Sequence, residues 1–419
     1  MIRKLIIIIF FFLSFASNAS RILIPMDESQ KNHLKAYGIA FWILKKDVDV
    51  DWLLNYRDGS FLLPYNEIYE KECKIRGVSC EIISDGQLSE ILFEIAKPDI
   101  NMELVKLHKA PKIAVYSPKT KQPWDDAVTL VLTYAEIPYE VIFDDEILES
   151  KLPLYDWLHL HHEDFTGQYG KFYAGFANAV WYKAEVREAE ETAQKHGFKK
   201  VSELKLAIAK KIRDYTAGGG FLFAMCSATD SYDIAMSADG VDICENMFDG
   251  DPADSRSNDK LDYSKTFAFK DYKLIMDPWY YEYSYIDATR ETRPVNEEND
   301  VFALFEFSAK WDIVPTMLCQ NHTKTIKGFM GQTTAFRKQF IKSEVLIMGE
   351  NKALKEARYI HGTFGKGTWT FYGGHDPEDY EHMVGEPATD LNLHPNSPGY
   401  RLILNNILFP SAKKKKLKT

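Results

Sequence analysis

Short consecutive apolar runs alternate along the chain with longer stretches in which apolar residues return every three or four positions. The first pattern marks buried strands and the second amphipathic helices. Over the first hundred residues, "RILIP", "SFLLP" and "CEIIS" read as strands. Leu34, Tyr37, Phe41 and Leu44 form a helical stripe, and "QLSEILFEI" reads as a second helix. Together they predict a small N-terminal α/β domain over residues 20–109.

A clearer series begins near Pro111 and defines a second domain over residues 110–419. Lys112 to Tyr116 and Tyr139 to Phe143 read as buried parallel strands with the helix-like "WDDAVTLVLTYAE" between them. "DWLHLHHEDFTG" is a third strand that ends in a polar cluster. Leu204, Ile208, Ile212 and Tyr215 stripe a long helix that Gly218 to Gly220 stop, and "FLFAM" is the fourth strand, with Cys226 at its carboxyl end. Residues 242–360 change to short strands, aspartates and aromatics, which predicts a β-rich insertion forming a cap or second layer. "GKGTWTFYGGHDPEDY" then returns a strand ending at Gly373-Gly374-His375, and "SPGYRLILNNILF" closes the chain with a helix. Such alternation implies a mostly parallel sheet with helices on both faces, whose ligands sit at the carboxyl ends of the strands. Ser117, the His161 cluster and Cys226 all fall on that edge.

Charge and composition narrow the partners. Arg3 and Lys4, the apolar Leu5 to Leu13 and the small residues of Ser17-Asn18-Ala19 form a secretory signal peptide over residues 1–19, too short to span a bilayer. The expected mature protein is exported, periplasmic or extracellular, with no membrane span. The net charge of -10 becomes -12 when Arg3 and Lys4 leave, and so acidic a surface repels a phosphate backbone. Nucleic acid is therefore excluded as a partner, and the Lys413 to Lys418 run reads as a solvated tail. The five cysteines leave at least one thiol unpaired. Cys73 and Cys80 either bridge each other or stand as two separate buried thiols.

Cysteine is a nucleophile only as thiolate, which a strand-to-helix turn favours. Cys226 occupies such a turn, with the backbone N–H of Ser227 available to a developing oxyanion. The alternative is an inert buried thiol at a strand end. His375, with Asp376 or Glu378 to orient it, supplies the matching base, and Ser117, His161, His162 and Glu163 lie at the same edge as candidate substrate-binding groups. A competing reading uses "HLHHEDFTG" as a site for zinc or another divalent metal. His159, His161 and Asp164 would be its ligands, completed by His375 and Asp376. The aspartates of "FDGDPADSRSND" lack the ordered spacing of a calcium loop. The aromatics of "PWYYEYSY" either stack on sugars or pair across strands.

The elbow "FLFAMCSA" followed late in the chain by "GKGTWTFYGGHDPE" resembles the class I glutamine amidotransferase-like superfamily, within it the trehalose-utilisation-type branch. The resemblance covers roughly Pro111 to Asp233 and Gly365 to Phe409. It implies a flavodoxin-like core, with the family's Gly-x-Cys-x-Gly and His-Pro-Glu motifs falling on Cys226, His375 and Glu378. Ala224 and Ala228 stand where that motif has glycines, and Asp376 separates His375 from Pro377. The whole chain also resembles exported bacterial proteins that carry the name asparagine synthetase B. The N-terminal cysteine and Ser-Gly-Gly-x-Asp-Ser loop of true enzymes of that name are missing. The expectation is thus an exported amidase-like or amidotransferase-like hydrolase of a small amide or carbohydrate. Its nucleophile is Cys226 and its base His375, and it needs no cofactor. The alternatives are a non-catalytic glycan- or ligand-binding module of the same fold and a metal-dependent hydrolase.

Overall fold

The computed structural model describes residues 19–118, 126–288, 293 and 295–412. The expected signal peptide, save Ala19, and the Lys413 to Lys418 run lie outside them. The chain is an α/β protein with two sheets. The first is antiparallel, with β1 (Ala19–Ile24), β2 (Val50–Leu54), β3 (Ser60–Pro64), β4 (Glu81–Ser84) and β5 (Glu103–Leu107) in the order β4-β1-β3-β2-β5. Its helices α1 (His33–Leu44), α2 (Glu67–Ile75) and α3 (Asp85–Ala96) start at Asn32, Asn66 and Ser84, whose side chains accept backbone N–H groups of the first turn.

The second sheet is mixed. Five parallel strands stand side by side in the order β15-β9-β8-β6-β7: β6 (Ile113–Tyr116), β7 (Glu140–Ile142), β8 (Trp157–Leu160), β9 (Phe221–Met225) and β15 (Gly367–Tyr372). In chain order, read from the other edge, that is 2-1-3-4-5. The direction of winding therefore reverses between β6 and β8, which opens a crevice at their carboxyl ends. Helices α4 (Ala127–Tyr134), α5 (Asp144–Leu148), α6 (Tyr173–Phe176), α7 (Val180–Lys195) and α8 (Val201–Gly218) make the crossovers, and α9 (Ala228–Ser237) follows β9.

The insertion departs from expectation. Among the described residues its first part carries the short helices α10 (Asn246–Asp249) and α11 (Ser257–Lys260), and α12 (Ile313–Leu318) comes later. Its strands form no separate cap. β10 (Val301–Leu304), β11 (Thr325–Lys327), β13 (Leu346–Asn351) and β14 (Glu356–Phe364) extend the same sheet antiparallel beyond β15, and β12 (Phe336–Arg337) pairs with β14. The reason is that β15, held by β9 on one side, still offers unpaired backbone on the other, and β14 satisfies it over six residue pairs from Tyr359↔Tyr372 to Phe364↔Gly367.

One apolar core, containing Tyr37, Val131, Phe223 and Leu404, lies between the two sheets around α1, α4 and α13 (Pro398–Leu408). A second, containing Ile208, Ile212, Leu222 and Ile234, fills the opposite face of the mixed sheet under α8 and α9. Two polar groups are buried with them. Arg358 donates to Asp300 at 2.7 Å, and Arg293 joins Asp300 at 2.8 Å to Glu356 at 3.0 Å. Between the sheets, His33 and His322 stack at 4.2 Å beside Arg401, which donates to the Met26 carbonyl at 2.8 Å.

Candidate active site

The carboxyl ends of β6, β8, β9 and β15 deliver the site. β9 runs straight into Cys226, whose φ of +49° is the left-handed turn that lets α9 begin two residues later. The turn is tied to both neighbouring strands: Cys226 N–H donates to Gly374 O at 3.2 Å, and Ala228 N–H to His161 O at 2.9 Å. Gly374 has φ +101°, and a Cβ there would fall 2.4 Å from the Phe329 ring. This explains the glycine before His375.

The thiol itself is sealed, 3 % exposed. Its Sγ accepts the Gln332 N–H at 3.3 Å, with the Thr333 and Ser227 amides also directed at it. Burial nevertheless outweighs these donors and pushes the thiol up to about 11. At pH 7.5 roughly one molecule in several thousand then carries the thiolate. Iodoacetamide at that pH is therefore expected to leave Cys226 unmodified in the folded protein, read by peptide mass mapping. Rapid native alkylation would mean that the thiol is activated after all.

The imidazoles come together instead. His375 Nδ1 lies 3.1 Å from His161 Nε2, and His162 joins them, its ring centroid 5.2 Å from that of His161 and 5.9 Å from that of His375. One nitrogen from each of the three lies within 4.8 Å of the others. Neither ring nitrogen of His162 has a hydrogen-bond partner, and burial drives its pKa down to about 3. Behind His161 stands Asp126, with Oδ1 3.5 Å from His161 Nδ1 and Oδ2 3.2 Å from His159 Nε2. Burial favours the neutral carboxyl, but the two imidazoles prevail and hold it well below the usual carboxylate range. Asp126 also caps α4 by accepting the Thr129 N–H at 2.9 Å, which fixes its orientation. The cluster thus occupies the crevice between β6 and β8.

Glu163 and His382 border it. Glu163 Oε2 accepts the His161 N–H at 2.9 Å, Oε1 is buried with no partner, and burial pushes the carboxyl up to about 8. His382 stacks on His375 at 5.1 Å and holds Asp379 at 2.8 Å. A small cavity of about 60 Å³ adjoins, lined by His162, Glu163, Asp164, Phe172 and Trp181.

Several expected roles change. Asp376 and Glu378 do not orient His375: Asp376 accepts the Glu378 N–H at 2.9 Å and the Thr389 hydroxyl at 2.8 Å, while Glu378 pairs with His394 at 3.0 Å. The turn after Gly374 carries both carboxylates away, and His161 faces the ring instead. Nor do His159 and Asp164 share a site. His159 is fixed by Asp126 and, at 3.2 Å, by the Phe223 carbonyl. Asp164 caps a turn by accepting the Thr166 N–H at 2.7 Å. Ser117 donates its N–H to Ile142 O at 3.0 Å at the end of β6. Of the "PWYYEYSY" aromatics, Trp279, Tyr280, Tyr281 and Tyr285 are exposed and Tyr283 is buried. Asp126, His382 and Gln332 went unread in the sequence. Only Asp126 left a trace there, as the helix-capping residue just before α4.

No protein-family profile matches the chain, and no curated protein matches it. Among solved structures it resembles Cytoplasmic Protein STM3548 from Salmonella typhimurium, at 8% identity and TM-score 0.36, over 72% of this chain and 100% of that one. Cytoplasmic Protein STM1381 from Salmonella typhimurium LT2 aligns at 10% identity and TM-score 0.34, over 72% and 100%. Gan42B, a GH42 beta-galactosidase from G. stearothermophilus, aligns at 10% identity and TM-score 0.28, over 64% of this chain and 28% of that one. Likenesses at these scores assign neither a family nor an activity. No helix of the described residues is long and apolar enough to cross a membrane.

Proposed function

We propose that the chain is a metal-dependent hydrolase of a small molecule, with His161, His162 and His375 as ligands of a zinc-like divalent ion. One observation carries this reading: three imidazoles converge, those of His161 and His375 buried and that of His162 half-buried, and a carboxylate stands behind one of them. Two nitrogens on one tetrahedral zinc lie roughly 3.3 Å apart, close to the 3.1 Å between His161 and His375. A carboxylate on the far nitrogen of a ligating histidine fixes its tautomer and raises its basicity, the role open to Asp126. The lowered pKa values of His162 and His375 suit ligands, which bind as neutral rings. The ion would polarise a carbonyl and lower the pKa of bound water. Glu163, its Oε1 unpartnered and its carboxyl raised to about 8, would serve as a proton donor near neutral pH.

The 2-1-3-4-5 order of the parallel strands and the Cys226 turn support a flavodoxin-like core of the amidotransferase-like kind. That turn also favours a second reading, in which Cys226 is the nucleophile. The residue pattern over 1–19 supports export from the cytoplasm.

Protein loaded with zinc and freed of excess is expected to retain one equivalent per chain by elemental analysis. His161→Ala and His375→Ala should lose it, Asp126→Asn should bind about 10–100-fold more weakly, and Cys226→Ala should keep it. Absence of stoichiometric metal in the folded wild type would remove the metal reading.

A further inference from the structure

We infer that the small cavity beside the histidine cluster binds the ammonium group of a cationic small molecule, with Glu185 and Asp164 supplying the countercharge and Trp181 and Phe172 the aromatic wall. The inference deepens the hydrolase reading, and rests on that reading in taking the molecule for its substrate. One face of α7 builds much of the cavity: Trp181, Glu185 and Glu188, spaced four and three residues apart, line it together. Phe172 packs edge to face on Trp181, ring centroids 5.6 Å apart. Asp164 is held in place opposite by the Thr166 N–H at 2.7 Å and the Gly170 N–H at 3.3 Å. The space is about 60 Å³. A water needs roughly 10–15 Å³, so the room suits a head group of about four or five heavy atoms.

Charge decides the kind of ligand. Among the described residues, four carboxyl groups line the cavity against one cation, Lys205. That lysine is already matched: its Nζ lies 3.0 Å and 2.9 Å from the two oxygens of the buried Asp144, and donates to the Tyr116 hydroxyl at 2.9 Å. The remaining charge is negative. A second observation points to a ligand. Glu163, which also lines the cavity, is only 7 % exposed, and its Oε2 accepts the His161 N–H at 2.9 Å while Oε1 has no partner. A buried polar oxygen left unpaired costs free energy until a ligand satisfies it, and an ammonium carries three N–H donors. An organic cation suits the walls better than a metal ion. These carboxyls are not among the groups of the described residues whose ligand atoms converge closely enough for a metal, whereas indole and phenyl faces attract ammonium groups. His162 lines the same cavity, so a molecule held there reaches the histidine cluster.

The test is calorimetric titration of the full chain, zinc-loaded and metal-free, with n-butylammonium, n-butanol and n-butyrate. The expected result is that the ammonium binds in both forms and its neutral and anionic counterparts do not. Binding should also release protons near neutral pH. Burial, opposed by Lys205 and helped by Asp164 and Glu188, raises Glu185 to about 7, and an arriving cation draws it into its ionised form. Glu185→Gln should weaken ammonium binding about 10–100-fold, and Trp181→Leu several-fold. Selective ammonium binding by a chain that retains no zinc would keep this cavity as a cation site and remove only the hydrolase reading. Failure of n-butylammonium to bind, equal binding of n-butanol, or a Glu185→Gln variant that binds the ammonium as tightly as the wild type would overturn the inference, whether or not zinc is retained.

Discussion

Replacing Arg358 with methionine is expected to cost about 3–5 kcal/mol of stability, the range for removing one partner of a buried ion pair. The guanidinium is 0 % exposed and has three acceptors: Asp300 Oδ2 at 2.7 Å, Phe329 O at 2.7 Å and Thr334 O at 2.8 Å. Methionine fills much of the volume but leaves two carbonyls without donors, and Asp300 with only one of its two cations. The same change loosens the 329–334 loop, which presents the Gln332 amide to Cys226. Urea unfolding of the two proteins measures the loss. A difference below about 1 kcal/mol would falsify the view that this cluster pins the insertion to β14.

Acid is the second large effect. Stability is expected to fall as pH drops from about 6.5 toward 4, through the stacked His33 and His322 between the sheets. Burial, and then the nearby Arg401, bring His33 down to about 4. Burial, then His33 and Arg401, bring His322 to about 3. Above the ordinary histidine pKa neither the folded nor the unfolded chain binds these protons, so the pair leaves stability unchanged there. Between that value and the folded pKa only the unfolded chain takes them up, and unfolding is favoured. For His33 alone the difference amounts to roughly 3 kcal/mol once pH is well below 4, at about 1.4 kcal/mol per pKa unit. Urea midpoints across pH 4–7 read the slope. The double change His33→Asn and His322→Asn should make it shallower, the rest of the slope coming from other buried imidazoles of lowered pKa such as His162 and His361, and an unaltered slope would place the acid sensitivity elsewhere.

Much of the architecture was legible because burial dictates periodicity. Strands such as "FLFAM" and the stripe Leu204, Ile208, Ile212, Tyr215 lie where the pattern puts them. The alternation also brought His161, Cys226 and His375 to one sheet edge. Two things escaped. The first is strand pairing at long range: nothing local in "EARYIHGTF" says that it pairs with β15 instead of building a cap. The second is side-chain direction beyond a strand end. Asp376 adjoins His375 in sequence and turns away from its ring, whereas Asp126, far away in sequence, faces His161. Its local role as a helix cap hides its second role, since the same carboxylate oxygens serve both.

The helix α13 is buried from Gly399 to Leu408, against α1 and α4 between the two sheets. Until that segment is made, the space between the sheets lacks one of the three helices that fill it. A chain that stops short of α13 therefore leaves part of the apolar surface between the sheets uncovered, and such exposure favours aggregation. Loss of residues 398–408 should therefore unsettle both sheets, distant as most of their strands are in sequence.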